Sequence, residues 1–394
     1  MHGFLRASTG ASADTPVRTG AVLARALACA GAVIARAVAG ILAIALASVV
    51  FASGAWAAPA LCGKYASAAP AVARLREAMA HGRFIAYTPT SLHATNGVLT
   101  HADPDSIRAD LQVLRPHFDS LITYGSISGA EAIPGIAASL GFRAVIIGIW
   151  DPFNATDLNA ALTAAKNNPR VVVGLSLGNE MLFFHRHGTA ELVQLLDTVH
   201  AQAPQLALST TEPFQMFEAR EAAPILQRLD FLLANVHPVF QPWFPTAPEG
   251  DDVQFVVNVV GDLAKDYCGP ILVKETGIPT APAEKGFSEK RQASFYAELG
   301  RRFPPSGLEA TSVSRSAAVS GLTPVPGPPS GGRAFAYFAA FDAPWRLLDG
   351  GPGPGQRPAE EEAHWGLYDE KRRPKPVVAS IPLLTSRSSP PGHE

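Results

Sequence analysis

The sequence predicts a (β/α)8 barrel, and three observations carry the prediction. Eight short apolar or β-branched runs recur along the chain, each about the length of a buried strand. Between them lie longer segments with apolar residues at helical spacing. The runs are continuously apolar rather than alternating, as suits parallel strands covered on both faces. Eight alternating units specify a closed barrel better than an open doubly wound sheet. No Gly-x-Gly-x-x-Gly follows the first run to favour the open form.

Residues 1–57 are set apart first. Arg6, Arg18, Arg25 and Arg36 precede an uncharged stretch, 37–51, and Ala55-Trp56-Ala57 offers a small-x-small cleavage site, the layout of a secretory signal. The alternative is an uncleaved membrane anchor, because no charge occurs between Ala37 and Lys64, long enough to span a bilayer. Either reading puts the remainder outside the cytoplasm: periplasmic, secreted, or held at the outer face of the inner membrane. Residues 58–384 then form the barrel domain.

The expected strands cover 84–87, 121–124, 144–150, 171–177, 206–211, 231–236, 271–274 and 334–341. After the first, Asp103-Pro104-Asp105-Ser106 supplies an Asp or Ser cap for a helix whose apolar face is Ile107, Leu111 and Leu114. A second clear helix begins at Thr189 and carries Leu192, Leu195 and Leu196. Residues 304–332 are rich in Ser, Pro and Gly and lack helical spacing, which predicts a disordered insertion before the eighth strand. The Gly-Pro run 350–355 is expected to be mobile and 385–394 to form a disordered tail.

Of three cysteines, Cys29 falls in the leader, leaving Cys62 and Cys268. An even count in an oxidising compartment permits one disulfide; two free thiols are the alternative. No Cys/His spacing suggests a metal site, and no metal or organic cofactor is expected. With 32 Lys plus Arg against 34 Asp plus Glu, the net charge of -2 argues against a nucleic-acid partner. The chain is expected to be a monomer.

In such a barrel the chemistry sits at the C-terminal ends of the strands, and there the polar residues concentrate. The third run ends in Trp150-Asp151, the fourth in Asn179-Glu180, the fifth in Glu212, the sixth in His237, the seventh in Glu275 and the eighth in Asp342. Glu180 and Glu275 fall across the barrel from one another, where two carboxyl groups can flank one glycosidic bond, about 5–5.5 Å apart in a retaining enzyme. Carboxylates amid aromatic side chains suit a carbohydrate.

Gly178-Asn179-Glu180 after one strand, Glu275-Thr276-Gly277-Ile278-Pro279 after another, and Phe341-Asp342-Ala343-Pro344-Trp345-Arg346 with His364-Trp365-Gly366-Leu367-Tyr368 downstream resemble glycoside hydrolase family 17. Tyr87-Thr88-Pro89, Asp110-Leu111, Thr123-Tyr124-Gly125 and Asn235-Val236-His237-Pro238 follow in family order. The resemblance implies a retaining barrel acting on β-1,3-glucan, with Glu180 as acid/base and Glu275 as nucleophile. It further implies that Asn179 holds the sugar 2-hydroxyl and that Tyr124 and His237 orient the nucleophile or line the central subsite. Tyr87, Glu212, Trp243, Asp342, Trp345 and Arg346 complete the expected substrate-binding set, with Glu212 either touching sugar or tuning a neighbour's pKa. Ile278 stands where many members carry Trp, Ala343 where an acid is common and Arg346 where Lys is usual. These departures bear on the glucan subsites and leave the carboxylate pair intact. A glucan transglycosylase, a noncatalytic glucan-binding barrel and a barrel glycosidase for another sugar are the rival readings.

Overall fold

A computed structural model describes residues 61, 63–95, 98–304, 332–348 and 359–384. The expected leader, the bulk of the expected insertion, the Gly-Pro run, the tail and Cys62 lie outside the described residues. Among the described residues no helix is long and apolar enough to cross a membrane.

Eight parallel strands close into a barrel: β1 Phe84–Ala86, β2 Ser120–Ile122, β3 Ala144–Ile149, β4 Val172–Asn179, β5 Leu208–Pro213, β6 Leu232–Asn235, β7 Ile271–Glu275 and β8 Arg333–Tyr337. Neighbours in sequence are neighbours in the wall, and β8 pairs back onto β1 through Phe84 and Ala336. The fold is the (β/α)8 barrel that the alternating pattern predicts.

The interior is filled by Phe84, Ile122, Ile146, Val173, Phe231, Leu233, Leu272 and Ala336, bulky and small residues meeting in layers. Helix Ala69–His81 sends Ala71, Leu75 and Ala78 into the same cluster, and its Arg74 reaches the carbonyl of Val172 at the start of β4. A larger apolar layer binds the outer faces of the strands to the surrounding helices. Helix Pro104–Leu114 starts where expected, with the Asp103 carboxylate accepting from the Ser106 N–H at 3.0 Å. The helix beginning at Thr189 runs to Gln202.

Two boundaries differ from expectation. The run 334–341 leaves the regular ladder after Tyr337: the Ala339 N–H donates to the Trp365 carbonyl, and Ala340 returns only to the Ala86 carbonyl at the end of β1. A short antiparallel ladder, Ala94–Thr95 with Val98–Leu99, follows β1 and has no clear signal in the sequence. At the domain's start Leu61 bridges to Tyr267, and the Cys268 N–H donates to the Leu61 carbonyl at 3.0 Å. Cys268 is disulfide-bonded.

Candidate active site

Strand ends alone would not bring the polar residues together, since side chains alternate between the faces of a strand. Irregular pairing does so. Between β4 and β5 the register shifts between Ser176 and Asn179, and between β6 and β7 it shifts so that Ala234 pairs Val273 and Asn235 pairs Glu275. The second shift leaves Lys274 unpaired, a bulge that re-aims neighbouring side chains. Lys274 and Glu275 are adjacent in sequence, yet Lys274 Nζ lies 3.7 Å from Glu275 Oε1.

The turn after β4 carries Glu180 at φ 55, in the left-handed region, preceded by Gly178 at φ 85. A Cβ on Gly178 would collide with Met181. For a glutamate this backbone costs on the order of 1–2 kcal/mol, and it is held by the Glu180 N–H donating to the Thr211 carbonyl at 2.7 Å. The Asn235 amide then donates to Glu180 Oε1 at 2.9 Å.

The two carboxyl groups are driven apart in acidity. Burial, reinforced by the charge of Glu275, raises the Glu180 pKa, with Asn235, His237 and Lys274 working the other way. Burial would also raise Glu275, but the His237 hydrogen bond and the charges of Lys274, His237 and Arg346 outweigh it and bring it down to about 2. His237 Nε2 sits 3.4 Å from Glu275 Oε2. Environments that split two neighbouring carboxyls this way mark an acid and an anion.

Aromatic rings line the same mouth. His237 lies 5.1 Å from Trp365, centroid to centroid, and 5.3 Å from Phe240 and from Phe338. Tyr124, Trp345, Arg346 and Trp365 meet around a small cavity, closed on one side by the Arg346–Glu362 ion pair at 3.0 Å. Several buried polar atoms here make no hydrogen bond within the protein: Tyr124 Oη, Asn235 Oδ1, His237 Nδ1 and Trp365 Nε1. Such atoms are costly in a folded protein, and together they suit a hydroxyl-rich ligand. Among the described residues no cluster of three His, Cys, Asp or Glu side chains is arranged to hold a metal.

The expected binding residues divide. Asn179, Tyr124, His237, Trp345 and Arg346 lie at the mouth with Glu180 and Glu275. Three others, Tyr87, Asp342 and Trp243, do not behave as expected, while Glu212 is turned away from the mouth but bears on the Lys274 ammonium. Tyr87 is fully buried and donates to Asp110 Oδ2 at 2.8 Å, inside a network completed by Arg372 and Thr90. Asp342 is paired with Lys375 at 2.7 Å and accepts the Gly366 N–H, so its carboxylate is spent on the chain. Trp243 packs on Phe255 with ring centroids 5.5 Å apart, filling core rather than forming a platform. Glu212 is 0% exposed and accepts the N–H groups of Leu182 and Phe183 at 3.0 and 3.2 Å. It braces the turn that follows Glu180 from beneath.

Lys274, Asn235 and Trp365 are functional candidates that the strand ends alone do not add to the binding set. Asn235 and Trp365 stand in the motifs that carry the resemblance, whereas Lys274 is brought to the mouth only by the bulge. Ile278 is fully buried, and Trp365 supplies an aromatic surface beside His237 instead.

The model of the BtgE/BtgC glycoside hydrolase domain matches residues 85–366. The chain belongs to that family. The protein is therefore a glycoside hydrolase, and the matched span contains the barrel wall from Ile85 onward together with every mouth residue named above. It is 25% identical over 283 residues to a glucan 1,3-beta-glucosidase of Arthroderma benhamiae, covering 69% of this chain and 84% of that one. Among solved structures it resembles the family 17 beta-1,3-glucanosyltransferase of Rhizomucor miehei, with a TM-score of 0.56, 18% identity and coverage of 76% and 98%. An active-site mutant of that transferase in complex with laminaritriose superposes with a TM-score of 0.55 at 18% identity. At such identity these likenesses speak for the barrel fold.

Proposed function

We propose that this glycoside hydrolase cleaves β-1,3-glucan with retention, through a covalent glucosyl ester on Glu275. Glu180, kept protonated by burial and by its anionic neighbour, gives its proton to the glycosidic oxygen as the C1–O bond breaks. Glu275, ionised, bonds to C1. Water then attacks C1, passing a proton to Glu180, which by this stage acts as base, and the ester to Glu275 breaks. The observation that carries the reading is the convergence of the two carboxyls on one mouth, where Asn235 pairs with Glu275 in the wall and holds Glu180 Oε1 at 2.9 Å while His237 stands 3.4 Å from Glu275, an arrangement that displaces their acidities in opposite directions.

The linkage is supported by the name of the similar glucan 1,3-beta-glucosidase, and the beta-1,3-glucanosyltransferase of like fold is consistent with it. Asn179 contacts the sugar 2-hydroxyl, and Tyr124, His237, Trp345, Arg346 and Trp365 surround the reacting ring. The leader places the enzyme outside the cytoplasm, freed by cleavage near Ala57 or held at the membrane. There Cys268 bonds to Cys62, and the enzyme acts as a monomer.

Transfer to a second sugar is the alternative outcome at the same ester. It is favoured by exposed aromatics at the ends of β3 and β4: Trp150, Phe183 and Phe184 are 51%, 49% and 53% exposed, a surface on which an acceptor glucan can stack. Incubation with laminaripentaose decides: shorter products alone mean hydrolysis, longer ones mean transfer, and no turnover of any β-1,3 substrate contradicts the linkage.

A further inference from the structure

Lys274 stands at the mouth, and beyond its charge beside Glu275 the reaction described above gives it no part. Its side chain is 1% exposed, which a lysine tolerates only with partners. Its Nζ donates to Asn179 Oδ1 at 2.6 Å, stands 3.7 Å from Glu275 Oε1 and lies 4.2 Å from the centre of the Tyr124 ring. An apolar side chain would fill the interior at lower cost in desolvation, as residues deeper in the barrel do.

Two consequences follow from these contacts. A lysine ammonium can only donate, and a carboxamide accepts at one end and donates at the other. With Oδ1 taken by Lys274, the Asn179 NH2 is the end left for a ligand, and the flipped amide would set donor against donor. The second consequence concerns charge. Burial pushes the Lys274 ammonium below its ordinary pKa, and Glu275, Glu180 and Glu212 oppose that loss of charge, while His237 and Arg346 add positive charge near Glu275. When Glu275 becomes a neutral ester, Glu180 is the strongest carboxylate left to support the Lys274 ammonium, and the two charges favour one another at the step in which Glu180 acts as base.

We propose that Lys274 is a positioning residue that locks Asn179 with its NH2 toward the sugar 2-hydroxyl and supplies the counter-charge remaining once Glu275 is esterified. The inference rests on the retaining reading above and deepens it.

The test uses the full chain with an aryl β-laminaribioside and its analogue lacking the 2-hydroxyl on the reacting ring. The variants are Lys274→Met, Lys274→Gln, Asn179→Ala and the double variant Lys274→Met/Asn179→Ala, each checked for folding by circular dichroism. Lys274→Met is expected to lower kcat on the full substrate at least 100-fold and on the deoxy analogue far less, so that the preference for the 2-hydroxyl collapses. Burst kinetics should show the ester accumulating, because its hydrolysis is slowed most. The double variant should be no worse than the worse single one. A Lys274→Met enzyme that keeps the wild-type preference, or losses that multiply in the double variant, overturns the inference. If the Met variant does not fold, Lys274→Leu takes its place with the same two outcomes. Lys274→Gln, which keeps a donor for Asn179 but no charge, should retain the 2-hydroxyl preference and slow ester hydrolysis, and a Gln variant that loses the preference without slowing that step overturns the inference. Wild type inert on every β-1,3 substrate would overturn the functional reading together with it, whereas active wild type with unaffected Lys274 variants overturns the Lys274 proposal alone.

Discussion

Asn235 and Glu180 are joined by a hydrogen bond of 2.9 Å from Nδ2 to Oε1, between the end of β6 and the turn after β4. It fixes the carboxyl of a residue whose backbone is already held in a left-handed conformation, and it stabilises the ionised form. Asn235→Ala removes both effects. The expected result is a kcat lower by roughly 10–100-fold, the range for a mispositioned proton donor, with the alkaline limb of the pH profile moved to higher pH. An unchanged profile in a folded Asn235→Ala variant would contradict the role.

The acidity of the pair sets the shape of the wild-type profile. Turnover needs Glu275 ionised and Glu180 protonated. With Glu275 held at about 2, no acid limb from the nucleophile is expected until pH is near that value. Activity is lost on the alkaline side, as Glu180 gives up its proton above the ordinary range for a glutamate. Measuring kcat/KM against pH on samples shown to be folded checks this; an acid limb centred near an unperturbed glutamate contradicts it.

Stability should respond to pH through Glu212. Burial raises its carboxyl to about 7, against the opposing pull of the Leu182 and Phe183 amides. A folded-state pKa above the unfolded value means that the folded protein binds the extra proton. The contribution is complete below the unfolded value of 4.5 and is lost as pH rises through about 7. Thermal denaturation between pH 5 and 8, conditions chosen to bracket that value, should show Tm falling toward alkali, and Glu212→Gln should flatten the slope. An equal slope in the variant would sink the assignment.

Tyr87 is expected to matter for stability and not for sugar. Tyr87→Phe leaves Asp110 short of one donor in a buried network and should cost about 1–3 kcal/mol, the penalty for an unsatisfied buried group. Its KM for laminari-oligosaccharides should stay within about twofold of wild type, since only a contact worth several tenths of a kcal/mol would move it further. A tenfold rise in KM without a stability change would restore Tyr87 to the binding set.

These residues mark what the sequence could and could not say. Glu180 and Glu275 are legible because each closes an apolar run, and strand ends face the mouth in this fold. The barrel itself is legible because burial on both faces of a strand writes a continuous signal. Tyr87, Asp342 and Trp243 mislead because their partners, Asp110 with Arg372, Lys375 and Phe255, are set by tertiary contacts that a local pattern does not contain. Lys274 is hidden for a different reason. Strict alternation would turn it away from Glu275, and the bulge that overrides alternation arises from pairing between β6 and β7.

The central claim is that Glu275 carries the sugar. Incubating the protein with a 2-deoxy-2-fluoro-laminaribiosyl fluoride, which forms the ester but slows its hydrolysis, and mapping the adduct by mass spectrometry tests it most directly. The expected result is a single adduct on the peptide containing Glu275, absent from Glu275→Gln. An adduct on Glu180, or release of product with inverted anomeric configuration from natural substrate, would contradict it.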